Sequence, residues 1–407
     1  MKKLRIRFAA ALLALSLIAA LIFPAAAADD SLIRAAEGTA ARIVEDNPSL
    51  KPGSIGGEWA AIALLRGGFP LPESYINLYL SEVDEYVKAC GGVLHSRKYT
   101  EYSRVVLALS AVEANPANVA GYDLTFPLGD YDKTVAQGVN GAVWALLALD
   151  AGGWAIPANP GAERQATRQM YVGAILDAQL ADGSWSMSGK APGDPDVTAM
   201  ALSALVKYRA QGEVVEALER GVRCLSLMQD GSGGFFSYGN ANSGSCAQVV
   251  IALCELGIEQ GDPRFVKNGK TALDALMSYS REGGGFAQIE GGAVDSMASE
   301  QALCALAAYL RFCDGQSSFY RMNQGAGLVG RHPEVIVPEA SLQGAAFEDT
   351  SDDTAIEALA ARGIVKGVDG RRFLPDRTVT RAELAAMIVR ALGLPEASLE
   401  GFIDVPK

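Results

Sequence analysis

Two carboxylates, Asp194 and Asp196, stand at the head of an apolar run, with Thr198 and Ala199 close behind. Such a pair has two uses. One acid can donate a proton while its neighbour tunes it. Alternatively, one side chain caps the helix that starts near Val197, accepting from its free amides and favouring its positive end. A second polar set, Gln248 and Glu300 with Gln301, opens two other apolar runs. These residues are candidates for a ligand-facing mouth or simply polar helix starts. Metal chemistry lacks ligands, because the chain has two histidines, His95 and His332, and none of its six cysteines sits in a CxxC pair. No cofactor is called for. An even cysteine count permits disulfides in an exported chain. Five of the six lie in helical windows, however, where cysteine serves as a small core residue.

The elements that position these groups come in repeats. Residues 179–205 run from a glycine-punctuated loop carrying Trp185 into a helix rich in Ala and Leu, and the plan returns twice. Trp185, Phe235 and Phe286 stand 50 and 51 residues apart. A repeat of that length specifies architecture before chemistry. Along the chain, windows that are apolar all round (57–66, 101–114, 140–151, 196–209, 246–257 and 294–312) alternate with amphipathic ones. An amphipathic helix hides one stripe, whereas an apolar one must be covered on most sides. Six of each fit two concentric rings, with the apolar set inside. The expectation is an all-α (α/α)6 toroid of six inner and six outer helices over residues 29–314. An open solenoid is the competing arrangement.

The loop pattern resembles the glutamine–tryptophan repeats of squalene–hopene cyclases. Gln179 precedes Gly183-Ser184-Trp185, and Gln229 precedes Gly233-Gly234-Phe235. The third copy keeps Gly284-Gly285-Phe286 but has Ser280 in place of Gln. The chain is thereby similar to the α/α toroids of terpene cyclases, prenyltransferase β-subunits, complement thioester domains and the cobalamin-carrier α-domain. That resemblance implies an amide fastening adjacent outer helices. It also implies that Asp196 is the proton donor of a terpenoid cyclase, since Asp194-Pro195-Asp196-Val197-Thr198-Ala199 resembles the Asp-x-Asp-Asp and Thr-Ala motif with Val197 in place of the last acid. A corrinoid-like small-molecule carrier is a further alternative. Trp185, Phe235, Gln248, Phe286 and Glu300 are the candidates for the toroid mouth, where an unidentified ligand or protein would bind.

Residues 315–346 read as a linker with few apolar residues. Residues 347–400 resemble a surface-layer homology (SLH) module. The matching pieces are Phe347-x-Asp349, Gly363-Ile364-Val365-x-Gly367, Phe373-x-Pro375 and Thr380-Arg381-Ala382-Glu383. Thr380 and Glu383 have the spacing of a capping box. Residues 401–407 repeat the opening of the module. The resemblance implies binding of an anionic secondary cell-wall polysaccharide through Asp349, Thr380, Arg381 and Glu383, with Arg381 as the carboxylate fork. The N-terminus reads as a signal peptide over 1–28, with a basic start, a short apolar run and small residues at 26–28. No later segment is apolar and long enough to span a bilayer. The formal net charge of −12 argues against nucleic-acid partners. The composite expectation is an exported bacterial surface protein, wall-anchored in a cell of Gram-positive type. Its toroid is expected to be a non-catalytic binding or display domain.

Overall fold

Twelve α-helices alternate in character between Asp30 and Cys313 in the computed structural model. It describes residues 29–322, with 347, 349, 350, 356, 359, 360, 364, 365, 367, 368 and 372–391 of the C-terminal segment. Residues 1–28, expected to be a signal peptide, residues 323–346, and residues 401–407, expected to begin a second module, lie outside the described residues. The even-numbered helices are α2 (Glu58–Arg66), α4 (Thr100–Ala111), α6 (Val139–Ala151), α8 (Pro195–Leu205), α10 (Ser243–Leu256) and α12 (Ser296–Cys313). Each packs on the next, and α12 returns to pack on α2. The ring therefore closes, and the solenoid alternative falls.

The odd-numbered helices form the outer layer: α1 (Asp30–Asp46), α3 (Glu73–Ala89), α5 (Tyr131–Val135), α7 (Arg168–Asp177), α9 (Gly212–Met228) and α11 (Ala272–Ser278). Burial separates the layers as the sequence pattern requires. α6 buries 10 of its 13 residues, whereas α3 buries one stripe of four, Tyr75, Tyr79, Val83 and Val87. Several outer helices are shorter than their amphipathic windows. α11 begins only at Ala272, because 263–265 form a 3-10 turn and Thr271 caps the helix through a capping box with Asp274. Two-residue antiparallel hairpins precede two inner helices. β1 (Phe236–Ser237) pairs with β2 (Asn240–Ala241), and β3 (Phe286–Ala287) pairs with β4 (Val294–Asp295).

The repeated loop works as a fastener between outer helices. The Gln179 amide donates to Gly183 O at 2.9 Å and to Ala217 O of α9 at 2.8 Å. Gln229 does the same with Gly233 O and Phe265 O, both at 3.0 Å. In the third copy the neighbour is α1, and Thr39 supplies the bond: its hydroxyl accepts from Gly285 N–H at 3.2 Å. Gly284 has φ +93°, and a Cβ there would stand 2.2 Å from Gly38 O. The seam between the two ends of the ring thus needs glycine.

Residues 315–322 are not linker. Two buried arginines, Arg66 of the first inner helix and Arg311 of the last, fold this segment across the end of the ring. Arg66 donates to Phe319 O at 2.9 Å and Ser318 O at 2.9 Å, and Arg311 to Ser317 O at 2.9 Å. Tyr320 N–H donates to Glu255 at 3.0 Å, and Met322 N–H to Ala151 O at 2.9 Å. Phe319 and Tyr320 are buried. Polar residues made this stretch look solvated, but buried charge partners satisfy its backbone carbonyls.

In the C-terminal segment α13 (Arg381–Ala391) starts at the expected capping box. Thr380 Oγ1 accepts from Glu383 N–H at 3.2 Å, and the Glu383 carboxylate accepts from Thr380 N–H at 2.8 Å. Phe347 and Phe373 pack with ring centroids 5.6 Å apart. All six cysteines of the chain are free thiols. No described helix is long and apolar enough to cross a membrane.

Candidate functional site

All six inner helices, mostly through their N-terminal halves, line one pocket of about 260 Å³ on the toroid axis. Helix periodicity explains the membership. Thr100 and Arg104, Asn140 and Trp144, and Asp196 and Met200 are pairs four apart; Gln248 and Ile251, and Gln301 and Cys304, are pairs three apart. Each pair therefore occupies one face of its helix. Trp59 of α2 completes the wall. Because the positive ends of these helices converge here, acids are favoured in their first turns, and Glu58, Glu101 and Asp196 occupy such positions.

The far end of the pocket is shut by Tyr320. Its ring lies between this pocket and a separate cleft of about 230 Å³ at the C-terminal ends of the inner helices. Trp59 and Trp144 meet at 5.1 Å and 65°, and Trp144 and Tyr320 at 6.2 Å and 79°. On the opposite side an outer bay of about 520 Å³ shares Asp196 and Gln301 with the pocket. Its rim carries Tyr238, which is 85% exposed, with Asn240 of the β1–β2 hairpin and Asn242, the N-cap of α10.

The two acids of the opening pair have separate fates. Asp194 is the helix cap. Its Oδ1 accepts from Asp196 N–H at 2.9 Å and Val197 N–H at 3.2 Å, and its Oδ2 accepts from Ser237 Oγ at 2.6 Å. That removes Asp194 from the candidate chemistry. Asp196 lines both cavities, and its Oδ1 is shielded from solvent without a hydrogen-bond partner. Burial is the main cause that holds its carboxyl up at about 6, with the nearby Ser245 hydroxyl opposing and Asp194 adding. The Thr-Ala portion of the motif has a structural use. Thr198 Oγ1 accepts from Trp185 N–H at 3.0 Å, and Ser299 does the same for Phe286 N–H at 2.9 Å.

Three of the mouth candidates need correction. Trp185, Phe235 and Phe286 are fully buried and line neither the pocket nor the bay. The Trp185 indole donates to Ile175 O at 2.7 Å, so the aromatics are the filler between rings. Glu300 is a fourth correction. Only 3% exposed, it accepts from Gly56 N–H at 2.6 Å across the seam, and it is the adjacent Gln301 that faces the pocket. A helix turns 100° per residue, so neighbours cannot share a face. Gln248 does line the pocket.

Sequence reasoning missed Trp59, Arg104, Asn140, Trp144 and Tyr320. A signal existed for 100/104 and 140/144 in their four-residue spacing at the head of apolar runs. None existed for Tyr320. Arg104 is held by Glu58 at 3.0 Å and by Glu101, so its charge is already matched.

In the C-terminal segment the polar atoms of three named residues are used internally. Asp349 accepts from Phe373 N–H and Leu374 N–H, both at 2.7 Å, and these bonds hold its carboxyl below the usual range. Thr380 and Glu383 bond each other, and Arg377 also engages Glu383. The Arg381 side chain lies outside the described residues.

Comparison with known proteins places an S-layer homology domain at residues 347–385. The chain is 36% identical over 102 residues to endo-1,4-beta-xylanase A of Thermoanaerobacterium saccharolyticum, covering 23% of this chain and 8% of that protein. It is 35% identical over 101 residues to exoglucanase XynX of Acetivibrio thermocellus, covering 23% and 9%. The chain thus spans less than a tenth of these curated relatives. Among solved structures, it is similar to the unsaturated glucuronyl hydrolase of Bacillus sp. GL1, at 13% identity and a TM-score of 0.46, over 72% of this chain and 99% of that one.

Proposed function

We propose that this is an exported, wall-anchored bacterial surface protein whose toroid binds a small ligand in its axial pocket. The wall half of the reading rests on the S-layer homology domain at 347–385 and on Arg381 as the fork for an anionic wall polysaccharide. One observation carries the toroid half. Six helices turn indoles and uncommitted amides into one pocket that is closed at its floor and open to a polar bay. Binding is favoured over glycoside hydrolysis of the usual kind, which works with a pair of opposed carboxylates. Asp194 is spent as a cap, Asp295 of the bay caps α12 through Ala298 N–H, and Glu58 is paired with Arg104, which leaves Asp196 as the uncommitted acid among the described residues lining the two cavities. At about 260 Å³ the pocket is below the ~300 Å³ where drug-sized sites begin. That size counts against a folded triterpene and against a corrinoid.

The test has two arms. The full chain should co-sediment with purified cell-wall sacculi and lose this on Arg381→Ala. A small-metabolite mixture should raise the unfolding temperature of the wild type but not of Gln301→Ala. If no mixture shifts the wild type, the binding reading of the toroid fails.

A second reading, Asp196 as a proton donor, draws on its unpartnered Oδ1 and its carboxyl held at about 6. Incubation with a linear isoprenoid tests it: a cyclised product that disappears in Asp196→Asn supports the acid, and unchanged substrate with the wild type rejects it.

A further inference from the structure

We infer that the axial pocket takes the terminal residue of a neutral saccharide chain, with the following residues lying in the outer bay; this rests on the toroid being a binding domain. The first observation is the mixture of surfaces. A pyranose has an apolar face and a girdle of hydroxyls that each donate and accept. Trp59 and Trp144 are half-buried and set at 65° to each other, an angle that prevents face-to-face stacking and leaves indole surface for a sugar face. The side-chain amides of Asn140, Gln248 and Gln301 come from three different helices, line the pocket and bond to no other described residue. An amide both donates and accepts, as a hydroxyl does, so three free amides match a polyol better than any singly charged ligand. The Asp196 carboxyl, which also lines the pocket, supplies one further acceptor.

The second observation is charge. Arg104, the one guanidinium among the described residues lining the pocket, is matched by Glu58 and Glu101. Asp196 has no ion-pair partner among the described residues, so an acidic sugar would place its carboxylate beside another with no unpaired cation among the described lining to meet it. The selection is therefore for neutral sugars over uronates.

The third observation is the floor. Tyr320 and the arginine-clamped segment 317–322 shut the axial passage. A chain enters the pocket by its end and cannot thread through it. The site thus recognises termini, and a saccharide without ends is excluded.

Equilibrium titrations of the full chain, read by tryptophan emission and calorimetry, test this with glucose, cellotriose, maltohexaose, ring-closed cyclomaltohexaose and glucuronate. The expected result is binding of at least one neutral linear sugar. Cyclomaltohexaose and glucuronate should bind at least about tenfold more weakly than it. Gln301→Ala should lose about tenfold through one hydrogen bond. Trp144→Ala should lose at least as much, with circular dichroism checking that both variants keep their helices. Equal binding of maltohexaose and its ring-closed form overturns the terminal recognition. If no sugar binds while tetramethylammonium does, with loss on Trp144→Ala, the saccharide assignment fails and the binding reading stands. If neither these probes nor the metabolite mixture binds, both fail.

Discussion

Glu300→Gln should make the toroid more stable at pH 8 and leave it unchanged near pH 4.5. Glu300 is 3% exposed, and its carboxylate accepts from Gly56 N–H at 2.6 Å. Burial raises its pKa from 4.5 to about 7, the Gly56 bond opposes, and Glu58 and Asp295 add to the rise. Between those two values the folded state holds a proton that the unfolded state releases. The group's contribution is therefore fully present below pH 4.5 and is lost as pH rises through 7. At ~1.4 kcal/mol for each tenfold change in proton concentration, the loss comes to about 3 kcal/mol. Glutamine is neutral throughout, and its amide oxygen can still accept from Gly56. The variant should gain up to about 3 kcal/mol over the wild type at pH 8. Urea unfolding followed by tryptophan emission measures this for the toroid alone, since Trp59, Trp144, Trp154 and Trp185 all lie within it. Asp196 shifts in the same direction in both proteins, so it cancels in the difference. Parallel stability curves for the two proteins from pH 4.5 to 8 would refute the reasoning.

Three other outcomes follow from the packing. Trp185→Ala removes a fully buried indole that donates to Ile175 O, and should cost ~3–5 kcal/mol in urea unfolding. Gly284→Ala meets Gly38 O and a positive φ at the ring seam; conformational strain alone should cost about 1–3 kcal/mol, with faster hydrogen exchange in α1 as the local sign. Asp349→Ala leaves the amides of Phe373 and Leu374 unpaired; proteolysis within 347–391 should accelerate while the toroid's unfolding midpoint stays fixed.

The repeat at Trp185, Phe235 and Phe286 and the six apolar windows determined two layers of alternating helices, because helices apolar all round must be enclosed by striped partners; closure over an open solenoid was decided by the packing of α12 on α2. Two local features were equally legible. The Thr380–Glu383 box needs only its spacing. The Asp194 cap needs only a short acid beside a helix start. The site was legible only in part: Asp196, Gln248 and Gln301 stood out at helix starts, but which faces converge did not, and the reason is geometric. A helix of the inner ring is apolar toward the outer layer and nearly as apolar toward its neighbours, so its pattern does not mark which face meets the axis. That is why Glu300 and Gln301 were both candidates for the mouth although only Gln301 stands there, and why the aromatics of the loops were carried as mouth candidates. Only closure of the ring brought Trp59, Asn140, Trp144, Asp196, Gln248 and Gln301 to one point. Only the tertiary structure showed Tyr320 beneath them, because what draws that polar segment inward is two buried arginines some 250 residues apart in the chain.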